Sequence, residues 1–226
     1  MLVTSSGRAE LLAALAQHVM TKHPPRRIRV AIDGVDGAGK SIFADELAQR
    51  IASRGRPVVR ASVDSFHRPR IERYRLGRAS PTGFYRDSYD YQLLAEFLLD
   101  PFAPGGSGRF RAAAFDHRTD TRDPAPERQA AVNAVLVLDG IFLHRPELRD
   151  LWDFSIFLHV RFDVSVERCA SRDGTSPDPA AAGNQRYVEG QRRYFREAQP
   201  WQRATVIVDN TDLAAPAVIA PDVVNP

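Results

Sequence analysis

The run Gly34-Val35-Asp36-Gly37-Ala38-Gly39-Lys40-Ser41 keeps the spacing G-x-x-x-x-G-K-[ST], and the chemistry of that spacing is phosphate binding. Glycines let the backbone curl until consecutive N–H groups point at phosphate oxygens. A helix starting where the loop ends adds the positive end of its dipole. Lys40 brings a mobile charge to the β- and γ-phosphates, and the Ser41 hydroxyl can ligate Mg²⁺. Ile42 completes the predicted nucleotide-binding run, residues 34–42. Lys22 and Lys40 are the two lysines among 31 basic residues. A compact ammonium fits inside a ring of backbone donors where a planar guanidinium does not, which gives Lys40 a reason to differ from the arginines around it.

Such a loop serves GTPases, motor ATPases and kinases alike, so the residues at the other strand ends must choose among them. Asp64 closes the second strand in "SVDSF". There a carboxylate can act as general base on an acceptor hydroxyl, bind Mg²⁺, or cap a turn. Asp139 ends the hydrophobic strand "VLVLDG", where an acid emerging from four apolar residues suits Mg²⁺. Gly140 after it permits close packing beside the phosphates. His67 is a candidate substrate contact or a solvated loop histidine. Asp90 is a helix N-cap or a ligand for sugar hydroxyls. Residues 115–122, "FDHRTDTR", crowd polar groups in a manner that suits a polar substrate better than a metal. Arg168 and Arg172, four apart on a helix before a Gly/Pro-rich loop, can reach a transferring phosphoryl when that loop closes, or line a solvated face.

The elements that must carry these residues alternate. A helix over 5–22, capped by Ser5 or Ser6, buries Leu11, Leu12, Leu15 and Val19 on one face. "RIRVAID" is a strand, and residues 39–54 form a helix with Ile42, Phe43, Leu47 and Ile51 inward, closed by Gly55. "PVVRASVDS", "AVLVLDG", "FSIFLHV" and "ATVIVDN" are further strands. "YDYQLLAEFLLDPF" is a helix stopping at Pro101, and helices are also expected around 163–172 and 185–199. Five strands alternating with helices make a parallel sheet covered on both faces, with ligands at the strands' carboxyl ends. The predicted organisation is one α/β domain over 1–212. It has a substrate-side insertion at about 65–133, within which 101–133 forms a small lobe containing a hairpin or edge strand at "GRFRAAAFD". A lid covers about 172–185, and 213–226 is a loosely held tail.

Bulk composition fits a soluble enzyme, with 43% hydrophobic residues and a net charge of +3. The basic residues are almost all arginines scattered along the chain, which argues against nucleic acid and for small anionic substrates. No apolar run reaches the ~20 residues of a membrane span, and no signal pattern stands at the start, so a cytoplasmic protein is expected. Cys169 is the single cysteine. It allows no intramolecular disulfide and reads as a small core residue.

The glycine loop, "DSF", "YDYQLL", "FDHRTDTR", "VLVLDGIFL", "FLHVRFDVSVERCASRD" and "ATVIVDN", in that order over about 28–210, resemble the uridine kinase group of the phosphoribulokinase/uridine kinase superfamily. The resemblance implies a P-loop NTPase fold with a five-stranded parallel sheet. It also implies ATP and Mg²⁺, and phosphoryl transfer to a hydroxyl of a small molecule. It carries phosphate and Mg²⁺ binding to Lys40 and Ser41, catalysis to Asp64, ribose contact to Asp90, and the lid arginine to Arg172. Asp139 stands where the family commonly has glutamate, and His67 where it usually has tyrosine. Phe115 takes a base-reading aromatic position and Arg122 is kept, but Asp120 stands where a base-reading histidine belongs. The lid lacks the arginine usual after its glycine. The expected acceptor is a nucleoside resembling uridine or cytidine. The alternatives are pantothenate, glycerate or a sugar, or a nucleotide-binding regulator without kinase activity. A homo-oligomer is left open.

Overall fold

A computed structural model describes residues 7–22 and 26–224; the Ser5 or Ser6 cap lies outside them. Helix α1 (Arg8–Lys22) buries Leu11, Leu12, Leu15 and Val19 as its periodicity requires. Strand β1 (Ile28–Gly34) is buried along its whole length and leads through the glycine loop into α2 (Lys40–Ala52). Phe43, Leu47 and Ile51 of α2 face the sheet, but Ile42 is 62% exposed and lies on the phosphate side instead. Strand β2 (Val58–Ser62) is followed by a 3₁₀ turn, Val63–Phe66.

The insertion carries short helices: α3 (Arg70–Arg73), α4 (Pro81–Asp87) and α5 (Tyr91–Leu94). From α5 the chain passes through a π turn at Ala95–Leu99 into α6 (Asp100–Phe102), so Pro101 sits inside the last turn. The side lobe consists of two short antiparallel ribbons. In one, β3 (Arg109–Phe110) pairs with β6 (Arg128–Gln129); in the other, β4 (Phe115–Asp116) pairs with β5 (Thr121–Arg122). The buried strands β7 (Val135–Gly140) and β8 (Phe154–His159) come next. They are followed by α7 (Phe162–Asp173), α8 (Ala182–Ala198), α9 (Pro200–Arg203), β9 (Val206–Asp209) and β10 (Ala217–Ile219).

The main sheet runs β10-β9-β8-β1-β7-β2. Five strands are parallel, as expected, and β10 adds a sixth, antiparallel to β9. The tail is therefore not loose: Val218 pairs with Val208, and Arg8 N–H donates to the Ala214 carbonyl at 3.2 Å. The proline-broken sequence hid a strand only three residues long.

Register aims the chemistry. Asp139 on β7 pairs with Ile32 of β1 on one side and Ser62 of β2 on the other. Three carboxyl ends therefore finish level, with Asp139 on the middle strand, the glycine loop leaving β1 on one side of it and Asp64 two residues beyond Ser62 of β2 on the other. This is the crevice at which open α/β sheets bind ligands.

Candidate active site

The glycine loop holds its shape through backbone states that side chains resist. Gly37 has φ 76°, and a Cβ there would stand 2.2 Å from the Ser165 carbonyl oxygen, so the loop can close against α7 only as glycine. Lys40 Nζ donates to the Val35 carbonyl at 2.8 Å, which arches the ammonium back over the loop. Ser41 Oγ donates to Asp139 Oδ2 at 2.6 Å. Lys40, Ser41, Ile42, Asp64 and Asp139 line one pocket of about 230 Å³ with Gly37 and Gly39.

Below the loop lies a group that the sequence did not single out. The carboxylate of Asp33 is fully buried and accepts from Gly34 N–H at 2.7 Å, Tyr194 O–H at 2.5 Å and His144 Nδ1–H at 2.7 Å. It ties the end of β1 to the segment after β7 and to α8, fixing where the loop starts. Burial and the Asp33 charge keep Tyr194 protonated, with its pKa well above the ordinary value. The only hint in the sequence was an acid at the end of a strand whose other charged residue is Arg29.

Asp64 sits in the turn after β2. Its Oδ1 accepts from Tyr89 O–H at 2.9 Å. Tyr89 is buried, and burial with the Asp64 charge raises its pKa far above the usual tyrosine range, so it remains a donor. Gly140 brings the two acids together: a Cβ on it would lie 2.2 Å from Val63 Cγ1, one residue before Asp64. Its close packing is thus against the turn that carries the catalytic candidate. Asp36, in the loop, has its pKa raised by burial, then lowered less strongly by Lys40. Its N–H is held by Gln191 Oε1 of α8 at 2.7 Å.

A second cavity of about 390 Å³ opens beside the phosphate pocket and shares Asp36, Asp64, Ile141 and Arg172 with it. Asp64 stands on the boundary between the two. His67, Tyr89 and His117 form part of its wall. His67 Nδ1 lies 2.8 Å from the Asp64 carbonyl oxygen. A carbonyl only accepts, so Nδ1 carries the hydrogen and Nε2 is left as an acceptor. Burial pushes the His67 pKa down to about 4, so the ring is neutral near pH 7. Cys169 also lines this cavity and is not a sealed core residue. Tyr89 and His117 lie in or beside segments expected to meet the substrate, but neighbours were singled out in their place: Asp90 beside Tyr89, and Phe115, Asp120 and Arg122 around His117.

Several expected contacts fall elsewhere. Asp120 has φ 61° and turns away from the cavity, accepting from Arg70 N–H at 2.9 Å and Arg73 Nη2 at 3.3 Å. Phe115 is buried under the side lobe and opposes exposed Arg122 across the β4–β5 pair, so neither lines the cavity. Asp90 takes the N-cap alternative, with Oδ1 accepting from Leu93 N–H at 3.0 Å. Arg168 does not reach toward a phosphoryl position. Its guanidinium donates to the carbonyls of Gly37, Asn210 and Thr211 at 3.3, 3.2 and 2.6 Å, clamping the loop to the end of β9. Arg172 does line both cavities and is paired with Asp173 through two 2.8 Å bonds, which raise its pKa.

The oxygen donors present suit Mg²⁺. Among the described residues no group of three or more His, Cys, Asp or Glu side chains could hold a metal ion, and Mg²⁺ needs no such cage when phosphates supply ligands. Among those residues, too, no helix is long and apolar enough to cross a membrane.

The model of the phosphoribulokinase/uridine kinase family matches residues 29–177. A uridine kinase from Shewanella amazonensis is 27% identical, over 64% of this chain and 68% of its own. Among solved structures, a possible uridine kinase from Bacillus stearothermophilus shares the fold with TM-score 0.67 at 22% identity, covering 87% of this chain and 96% of that one. Phosphoribulokinase from Rhodobacter spheroides gives TM-score 0.57 at 14% identity, over 82% of this chain and 71% of that one.

Proposed function

This chain belongs to the phosphoribulokinase/uridine kinase family, and on that premise we propose that it moves the γ-phosphoryl group of ATP to a hydroxyl of a small molecule. The observation that carries this reading is the position of Asp64 on the boundary between the phosphate pocket and the second cavity. An acceptor in that cavity presents its hydroxyl to Asp64, which takes the proton as the oxygen attacks the γ-phosphorus. Tyr89 holds the carboxylate in place through its 2.9 Å bond. The glycine loop N–H groups and Lys40 fix the phosphates, and Arg172 is the cation placed to meet charge that develops between the two cavities. Ser41, Asp139 and Asp64 would hold Mg²⁺, which supplies charge neutralisation at the phosphates.

A nucleoside acceptor is the first expectation. The second, a non-nucleoside acceptor such as pantothenate, glycerate or a sugar, is favoured by one observation. Phe115, Asp120 and Arg122 lie off the cavity, and the wall there is made by His67, His117 and Tyr89. A polar site built around a different donor pattern rejects the wrong substrate strongly.

The test is a phosphotransfer screen over nucleosides, sugars and hydroxy acids, with Asp64→Asn as control. Turnover of at least one acceptor, reduced about a thousandfold in the variant, supports the reading. ADP release that no acceptor lifts above the Asp64→Asn background removes it.

A further inference from the structure

Next to the cavity that Asp64 faces is another concavity of about 430 Å³, walled by His67, Arg70, Arg73, Arg78, His117 and Arg186 among others. The two share His67, Phe84, His117 and Tyr187, so one extended ligand can occupy both. Four guanidinium groups around one space repel each other and call for a counter-charge. Among the described residues the carboxylate ion-paired to any of them is that of Asp120, 3.3 Å from Arg73.

Two of the arginines are built in and not merely solvated. Arg73 is 7% exposed and its Nε has no hydrogen-bond partner. Arg186 is 8% exposed and donates to the Arg78 carbonyl. Its guanidinium stacks 4.9 Å from the Tyr74 ring centroid and 5.4 Å from that of Phe84. Stacking of this kind orients the planar fork without neutralising it. Burial lowers the Arg186 pKa, and the charges of Arg73 and Arg78 add to that. The cluster is therefore short of negative charge, and guanidinium forks match the oxygens of a phosphate ester or a carboxylate.

We propose that this arginine pocket binds an anionic group, a phosphate ester or a carboxylate, carried by the phosphoryl acceptor itself. The acceptor then spans both cavities, with its reacting hydroxyl beside Asp64 and its anionic end on Arg73 and Arg186. The assignment to an acceptor rests on the kinase reading above; the anion site does not.

The first experiment needs no turnover. With the glycine loop saturated by Mg²⁺ and a non-hydrolysable ATP analogue, inorganic phosphate and acetate are titrated calorimetrically into wild type, Arg73→Gln and Arg186→Gln. At least one anion binds wild type and loses tenfold or more in affinity in both variants, phosphate marking an ester and acetate a carboxylate. No binding of either, or binding equal in all three proteins, overturns the site. If a buried substitution prevents folding, exposed Arg70→Gln carries the same measurement. The second experiment offers acceptors in pairs that differ only by the anionic group: glycerol and glycerate, ribulose and ribulose 5-phosphate, pantothenyl alcohol and pantothenate. The charged member of a productive pair is favoured at least tenfold in kcat/KM, and Arg73→Gln removes that preference through KM. Preference for the neutral members overturns the proposal and leaves the kinase reading standing. Anion binding that the variants abolish, with no charged acceptor turned over, overturns the assignment to an acceptor; the kinase reading falls only if the wider screen of nucleosides, sugars and hydroxy acids also finds no acceptor.

Discussion

Asp139 at the end of β7 shares its carboxylate between two donors: Ser41 Oγ at 2.6 Å from Oδ2 and Arg60 Nη2 at 3.0 Å from Oδ1. The acid is 2% exposed, so its orientation is fixed by those partners and not by solvent. Arg60 comes from the edge strand β2 and also reaches Asp45 at 2.8 Å. The acid expected to face Mg²⁺ is thus balanced by a cation on the side away from the phosphates.

Substitutions on the two sides of that balance separate its roles. Asp139→Asn removes the charge and is expected to raise the Mg²⁺ concentration for half-maximal activity at least about tenfold. Arg60→Met removes a competing cation and is expected to lower it a few-fold. The same change costs about 1–3 kcal/mol in urea unfolding, below the value for a fully buried pair because the Arg60 side chain is 26% exposed. Mg²⁺ dependences that move in the same direction in both variants would show that Asp139 does not face the cation.

Lys40→Arg keeps the charge and changes the shape. The ammonium bonds Val35 O inside a loop of closely spaced backbone, where a guanidinium has no room. The expected result is a fall in kcat/KM for ATP of at least about a hundredfold, about 2.7 kcal/mol, with the thermal midpoint little changed. An arginine variant that retains wild-type kcat/KM would remove the steric account of why this position differs from the chain's other basic residues.

Gly37→Ala tests the loop's backbone. The positive φ costs about 1–2 kcal/mol for a side chain, and the Ser165 carbonyl 2.2 Å from the new Cβ forces α7 to shift. A stability loss above about 2 kcal/mol is expected, together with loss of ATP-analogue binding in a calorimetric titration. Wild-type affinity in a folded variant would mean that the loop can bind phosphates without its contact to α7.

These variants sit on features that differ in how far the sequence announces them. The glycine loop and Asp139 were legible because local spacing and strand hydrophobicity encode them. The parallel sheet followed from alternation, whereas β10 did not, since three residues between prolines carry almost no periodic signal. The acceptor side was least legible. Asp120, Asp90 and Phe115 have the right chemistry for a substrate contact, yet their side chains are used by α3, α5 and the lobe. His117, three residues before Asp120, takes the place on the wall. Which member of a polar cluster faces a ligand depends on one positive φ at Asp120, and spacing alone does not reveal that angle.

His67 gives a dependence on pH whose sign is fixed. Its ordinary pKa is 6.5, and burial lowers it to about 4 in the folded chain. Between those values the unfolded chain binds a proton that the folded chain refuses, so unfolding takes up protons and stability rises with pH. The contribution is fully present above pH 6.5 and is lost as pH falls through 4. It amounts to at most about 3–4 kcal/mol, since one pKa unit is about 1.4 kcal/mol. His67→Gln keeps a donor for the Asp64 carbonyl and removes the titration. Urea unfolding at intervals from pH 4 to 7 is expected to show a slope in wild type that flattens in the variant. An unchanged slope would place the proton uptake on another group and remove the argument that His67 meets its ligand as a neutral acceptor.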